Sequence, residues 1–161
     1  MYTDSKPGAS ACGLRIGIAV STYHAKITTA LRDAAVKQFT DAQGAERDLR
    51  VVSAPGTFEL TAVCRALVHG GGFDAVVALG CVISGETTHD TYIATAIAHG
   101  LTDLTLATGV PVTFGVLTCQ TIDQARARAG GPRGNKGAEA MAAAIETATI
   151  IKSLAGQKER R

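Results

Sequence analysis

The chain has 161 residues, of which 46% are apolar and 4% aromatic, enough for one well-packed domain with an aliphatic core. Its 16 basic and 14 acidic residues give a net charge of +2, which leaves no electrostatic footprint for nucleic acid. No apolar run approaches the ~20 residues of a membrane span, and residues 1–13 lack the apolar stretch of a signal peptide. We therefore expect a cytoplasmic protein with a flexible leader at 1–13.

Strand-like and helix-like segments alternate along the chain. Short apolar runs typical of buried strands lie at 14–20, 48–54, 74–83 and 111–118. Apolar residues at helical spacing lie at 26–43, 57–72, 88–108, 121–129 and 138–154. Such alternation produces right-handed β-α-β units. It predicts a three-layer α/β/α fold with a four-stranded parallel sheet in flavodoxin-like order, as a single domain over 14–156 followed by a short basic tail at 157–161.

The four cysteines are far apart and form no C-x-x-C pair: Cys12, Cys64, Cys81 and Cys119. In a reducing cytosol we interpret them as small apolar residues and expect neither disulfides nor a metal site.

Ligands of parallel α/β sheets bind beyond the carboxyl ends of the strands, which here carry the sequences STYH, APGTFE, CVISGETTHD and TFGVLT. In the third of these, Gly85 permits a sharp turn, and the amides of Glu86 and Thr87 precede a helix, as in anion sites. The structural alternative is a simple helix start, with Thr88 as the cap and Asp90 complementing the helix dipole.

Three further sets of side chains have a functional and a structural interpretation. His89, in the first turn of that helix, could accept a proton as a neutral imidazole, although most single histidines serve surface or packing roles. Tyr23 and Phe114 could stack on a flat heterocycle, with core packing as the alternative for Phe114. Glu59 could bind a polyol or complement a helix dipole. We assign no role to His24, His69 or His99.

The glycine-rich segment GGPRGNKG precedes the last helix. Its structural interpretation is a flexible connector with Asn135 as the helix cap. Arg133 and Lys136 lie near a helix start, where positive charge is unfavourable, which suggests a role beyond connection. Arg128, at the end of a short helix, could offer a guanidinium to a phosphate.

In chain order these segments resemble the lumazine synthase family. The resemblance is carried by Tyr23, by PGTFE at 55–59, GCVISGETTH at 80–89, FGVLT at 114–118 and GNKGAE at 134–139. It implies a transferase of riboflavin biosynthesis that condenses 5-amino-6-(D-ribitylamino)uracil with 3,4-dihydroxy-2-butanone 4-phosphate. The products are 6,7-dimethyl-8-ribityllumazine, phosphate and water, and no cofactor is implied.

The resemblance also implies site residues. Those for the ribitylaminouracil are Tyr23, Thr57, Phe58, Glu59, Cys81, Val82, Ile83 and Phe114. Of these, Cys81, Val82 and Ile83 would meet the edge of the heterocycle, chiefly through backbone groups. Those for the butanone phosphate are Gly85, Glu86, Thr87 and Arg128. His89 would transfer protons, with Lys136 and Glu139 in supporting positions.

Members of this family assemble as pentamers, some of which form shells of twelve pentamers, and their sites lie between adjacent subunits. The resemblance therefore implies that Phe114, Arg128 and Lys136 reach a site whose other residues belong to the neighbouring copy. It also makes riboflavin synthase a candidate partner.

This chain departs from the common pattern of the family. Ser84 replaces a frequent arginine, Tyr23 the usual Phe or Trp, and His24 the usual Asn, while Pro132 and Arg133 alter the loop after Arg128. These departures keep open a non-catalytic lumazine- or flavin-binding paralogue, or one that only forms shells. A third alternative is an unrelated phosphosugar enzyme with Lys136 as a Schiff-base amine.

Overall fold

The structure is a computed structural model that describes residues 9–158. Four parallel strands form one sheet in the order β2-β1-β3-β4. Their bounds are β1 Ile16–Ser21, β2 Leu49–Ala54, β3 Ala75–Ile83 and β4 Val112–Cys119. The predicted α/β/α fold with a four-stranded parallel sheet is confirmed.

Helices cover both faces of the sheet. Their bounds are α1 Ala25–Asp41, α2 Leu60–Gly71, α3 His89–Thr108, α4 Ile122–Ala127 and α5 Lys136–Lys158. One apolar cluster joins the sheet to α1 and α5, and a second joins its other face to α2 and α3. No helix within residues 9–158 combines the length and apolar character needed to cross a membrane.

The burial of β3 explains its sequence. This strand pairs with β1 on one side and β4 on the other, and every residue from Ala75 to Val82 is buried. A strand covered on both edges and both faces requires a continuous apolar run, because no side chain on it can reach water. The edge strand β2 tolerates Arg50, since its outer side is exposed.

Both ends of the domain differ from the sequence-based boundaries. Ala11, placed in the flexible leader, is fully buried, and its amide donates a 2.7 Å hydrogen bond to the Ala42 carbonyl. Ala9 packs on the same cluster, so the ordered domain begins before residue 14. Helix α5 continues to Lys158, past the predicted end at 154 and into the predicted tail. The rest of the leader and tail, 1–8 and 159–161, lies outside the described residues.

The start of α5 is held tightly against α1. Asn135 accepts hydrogen bonds from the amides of Gly137 at 2.8 Å and Ala138 at 3.4 Å, which confirms it as the helix cap. Its side-chain amide donates at 3.1 Å to the Ala30 carbonyl. Gly137 faces the backbone of α1 so closely that a methyl group there would overlap the Leu31 carbonyl. The position of α5, and of the loop before it, therefore depends on a glycine at 137.

We predict that Gly137→Ala lowers the free energy of unfolding by about 1–3 kcal/mol, because backbone must move to admit the methyl group. Gly156→Ala, on the same helix with open space around it, should change that free energy by less than about 1 kcal/mol. Urea unfolding at one fixed protein concentration measures both. Equal stability of the two variants would contradict the close approach.

Candidate functional site

A cleft of about 550 Å³ opens at the carboxyl ends of β1, β2 and β3, and we call it the histidine cleft. It gathers nine of the residues expected in the site: Tyr23, Thr57, Phe58, Glu59, Cys81, Val82, Ile83, Gly85 and His89. Four further residues complete its lining: His24, Gly56, Ser84 and Ile93.

Two exposed aromatic rings stand at the histidine cleft. Tyr23 is 66% exposed and Phe58 is 59% exposed, values high for side chains of this size. The Tyr23 ring meets the His24 imidazole edge-on, with centroids 4.7 Å apart. His24 adopts a left-handed backbone with φ of 57°, which turns the chain from β1 into α1. The cleft thus presents ring faces to a flat ligand, and His24, to which we assigned no role, is part of it.

The floor of the histidine cleft is built where β1 stops pairing with β3. The last β1 partner on β3 is Leu79, and beyond it the Thr57 hydroxyl replaces the missing strand. This hydroxyl donates to the Cys81 carbonyl at 3.2 Å and accepts from the Cys81 amide at 3.4 Å. A Cβ on Gly80 would come within 2.7 Å of the Thr57 methyl, so a glycine is needed beneath it.

These hydrogen bonds decide which backbone groups of β3 face the cleft. The Cys81 amide and carbonyl are already bonded to Thr57, so they are not available to a ligand as the resemblance implied. Backbone groups in a strand alternate between its two sides, which directs those of Ile83 to the side that β1 has left. Ile83 is therefore the better candidate for backbone recognition of a heterocycle.

The Cys81 thiol is not a nucleophile. Burial, with a smaller contribution from the neighbouring Cys119, raises the pKa of Cys81 to about 12. Burial likewise raises the pKa of Cys64 to about 12. Among the four cysteines, Cys12 alone is exposed, so the description of all four as small apolar residues holds for three.

The loop between β3 and α3 positions the imidazole of His89. The Thr87 hydroxyl contacts His89 Nδ1, and the ring lies above Gly85, where a Cβ would be 3.6 Å from His89 Cε1. A hydroxyl can donate or accept, so this contact survives a change of imidazole tautomer. Thr88 occupies the helix-cap position, as expected, but its side chain makes no capping hydrogen bond.

Asp90 shares this loop with Ser84. The Ser84 hydroxyl donates to Asp90 Oδ2 at 2.7 Å. This hydrogen bond is the main cause that lowers the pKa of Asp90, and amides of the first turn add to it. The carboxylate therefore stays ionised at the start of α3, beside the amides expected to bind phosphate. Gly85 lines the histidine cleft, whereas Glu86 and Thr87 are exposed beside it.

We predict that Ser84→Ala raises the pKa of Asp90 towards its ordinary value, because the largest stabilising contact of the carboxylate is lost. In the parent protein Asp90 contributes stability above the ordinary carboxyl pKa and loses it as pH falls through its own lower pKa. In the variant this contribution is smaller, and its loss is complete at a higher pH, because the folded-state pKa lies closer to the ordinary value. NMR titration of ¹³C-labelled aspartate, with Ser153→Ala as control, measures the shift. An unchanged titration would rule out the Ser84 contact.

A second, smaller cleft of about 220 Å³ lies at the carboxyl end of β4, and we call it the arginine cleft. Its lining comprises Val116, Leu117, Thr118, Cys119, Arg128, Arg133, Lys136 and Glu139. Lys136 Nζ donates to Glu139 Oε2 at 3.2 Å, which pairs the only carboxylate of the lining. Two guanidinium groups remain, so the arginine cleft suits an anion.

The glycine-rich segment beside this cleft is ordered. Its residues form a short antiparallel hairpin of β5 Ala129–Gly131 and β6 Gly134–Asn135. The Lys136 amide donates to the Arg128 carbonyl at 2.9 Å. A Cβ on Gly131 would come within 2.8 Å of the Ala127 Cα, so the hairpin packs directly on α4. The interpretation as a flexible connector is wrong, because these contacts are not visible in composition.

Phe114 lines neither cleft in the single chain. It is half-buried on the face of β4 that packs against α2 and α3. As β4 is an edge strand, part of the ring remains open to the outside of the chain. The described residues contain no group of three or more His, Cys, Asp or Glu side chains that could hold a metal.

Fold and clefts together define an α/β protein that binds small molecules at the carboxyl edge of a parallel sheet. The profile of the family described as 6,7-dimethyl-8-ribityllumazine synthase matches residues 13–152. A curated 6,7-dimethyl-8-ribityllumazine synthase from Anaeromyxobacter sp. (strain K) is 40% identical over 149 residues, which cover 92% of this chain and 92% of that protein. The chain belongs to the lumazine synthase family, and the predicted transferase function in riboflavin biosynthesis is confirmed.

Proposed function

We propose that the chain condenses 5-amino-6-(D-ribitylamino)uracil with 3,4-dihydroxy-2-butanone 4-phosphate in a site shared by two subunits. The histidine cleft of one subunit would meet the arginine cleft of its neighbour. One observation carries this proposal. Among the described residues, no lysine or arginine lines the histidine cleft. A phosphate ester bound there needs a cation from elsewhere, and the arginine cleft has two unneutralised guanidinium groups.

The ribitylaminouracil would occupy the histidine cleft. Its flat ring would stack on Tyr23, whose face is exposed, and its edge would bond with backbone groups at Ile83. The ribityl chain would run past Phe58 to Glu59, whose Oε2 lies over Gly56 at the cleft wall. A carboxylate accepts hydrogen bonds from several hydroxyls of a polyol. Phe114 of the neighbouring subunit would close the site.

The phosphate of the ketone would lie at the start of α3. The amides of Gly85, Glu86 and Thr87 precede this helix and are supported by the positive end of its dipole. The Glu86 side chain is exposed outside the cleft, so its charge does not face the phosphate directly. Arg128 of the neighbouring subunit would be the counter-charge, with the Lys136–Glu139 pair holding the wall behind it.

His89 would move protons between the two reactants. Condensation of an amine with a ketone requires a proton for the departing hydroxyl, and phosphate loss requires a proton to leave the adjacent carbon. One imidazole nitrogen can do both in turn, since it donates a proton when protonated and accepts one when neutral. With Nδ1 in contact with Thr87, Nε2 is the nitrogen free for substrate. Much of the rate would come from holding the two reactants together.

The quaternary structure that this site requires is a closed ring in which every subunit gives one cleft to each neighbour. We propose the homopentamer of the family, with assembly into a shell and association with riboflavin synthase as further possibilities for a cytoplasmic enzyme. The departures at Ser84 and Tyr23 favour one second candidate, a non-catalytic flavin-binding paralogue. Tight riboflavin binding without product formation would select it.

We predict that His89→Ala lowers kcat about 10- to 100-fold, at the low end of acid–base effects because substrate positioning is retained. The KM for each substrate should change little. His99→Ala, an exposed histidine on the same helix, should match the parent. The near-ultraviolet absorption of the lumazine product gives the rates, and particle mass in the same buffer verifies assembly. Parent-like turnover of His89→Ala would exclude proton transfer by this residue.

A further inference from the structure

The arginine cleft contains a second guanidinium, on Arg133, to which neither the family resemblance nor the proposed site gives a role. Arg133 lies in the two-residue turn between β5 and β6. It lines the arginine cleft together with Arg128, and both arginines also line an adjoining cleft of about 440 Å³ near α4. Two guanidinium groups that border the same two clefts can act on one ligand.

The backbone of Arg133 is fixed. Its amide donates to the Ala127 carbonyl at 2.9 Å, which ties the turn to the end of α4. Pro132 restricts the preceding position, and Gly134 adopts a φ of 81° that closes the turn. Arg133 is therefore presented from a rigid hairpin, and less conformational entropy is lost when its side chain binds.

The charge of Arg133 is not neutralised within the chain. Across residues 9–158, neither Arg128 nor Arg133 takes part in an ion pair, whereas Arg126 is paired with Asp123 at 2.9 Å. Glu139, the carboxylate of the arginine cleft, already binds Lys136 at 3.2 Å. A dianionic ligand would thus meet two unpaired guanidinium groups, whereas the carboxylates of the two clefts, Glu139 and Asp123, are each paired with another cation.

The other half of the proposed site adds to the need for positive charge. The Asp90 carboxylate, held by Ser84 at 2.7 Å, places one negative charge in the loop that would receive the phosphate. A phosphate ester brings up to two more, against which Arg128 alone supplies one positive charge. We propose that Arg133 is a second phosphate-binding residue, which acts beside Arg128 on the phosphate of the ketone substrate. This inference rests on the proposed shared site.

The experiment compares the assembled parent enzyme with Arg133→Ala, Arg133→Lys, Arg128→Ala and Arg65→Ala. Arg133→Ala should raise the KM for the butanone phosphate about tenfold, while kcat and the KM for the uracil stay within about twofold. Arg133→Lys should lie between, because it keeps the charge but loses the planar fork. Arg65→Ala, which removes an exposed arginine on α2, should match the parent. Inhibition by inorganic phosphate should weaken in parallel with the KM.

Two results overturn the inference in different ways. If Arg133→Ala behaves like Arg65→Ala while Arg128→Ala raises the KM for the phosphate ester, Arg133 binds no phosphate and the proposed site stands without it. If neither Arg128→Ala nor Arg133→Ala changes that KM or the inhibition by phosphate, the arginine cleft is not the phosphate site. That result would exclude both the proposed shared site and the phosphate-binding role of Arg133.

Discussion

The structure depends on one constraint, the parallel arrangement of four strands around a fully buried β3. Because all four strands run in the same direction, their carboxyl ends meet at one edge, and every corner with chemically useful side chains lies there. Where β1 stops pairing, the Thr57 hydroxyl takes over two backbone groups of β3 at 3.2 and 3.4 Å. This substitution opens the histidine cleft without leaving unsatisfied backbone groups at Cys81.

The parallel arrangement of the strands also places two kinds of functional group in separate clefts. Aromatic rings, an imidazole and a carboxylate line the histidine cleft, while the guanidinium groups border the cleft at the end of β4. Within one chain the two clefts adjoin each other, because the Ser84 amide donates to the Cys119 carbonyl at 2.8 Å across the ends of β3 and β4. In the proposed shared site, each subunit would contribute one cleft to each of its two neighbours, and every interface of a closed ring would then form one complete site.

Much of the fold was predictable from the sequence, because the spacing of apolar residues shows which side of each helix or strand is buried. The four strands and five helices follow that periodicity, and the ordered motifs identify the family. The hairpin at 129–135 was not predictable, since it depends on the Arg133 amide meeting Ala127 and on the packing of Gly131 against α4. Nor was the role of Ala11, whose amide bonds to residue 42, far along the chain.

Some of the site residues were likewise predictable from the sequence, and others were not. Residue types at strand ends predicted the histidine cleft, but His24 was missed because its left-handed backbone, not its chemistry, brings it beside Tyr23. The Cys81 backbone was expected to meet a ligand, whereas Thr57 already occupies it. Side-chain hydrogen bonds of this kind depend on two corners folding together, which no single segment of sequence reveals.

The central claim, that one site draws residues from two subunits, is tested most directly by mixing His89→Ala and Arg128→Ala subunits within one assembly. Each variant alone should lose most of its kcat/KM for the butanone phosphate. An Arg128→Ala subunit keeps an intact histidine cleft, and a His89→Ala subunit keeps an intact arginine cleft. In a ring that mixes the two at random in equal amounts, about one quarter of the sites would combine two intact clefts, because each intact cleft is present in half of the subunits. We expect the mixed assembly to recover about a quarter of the activity of the parent enzyme. Activity no higher than the mean of the two separate variants would contradict it.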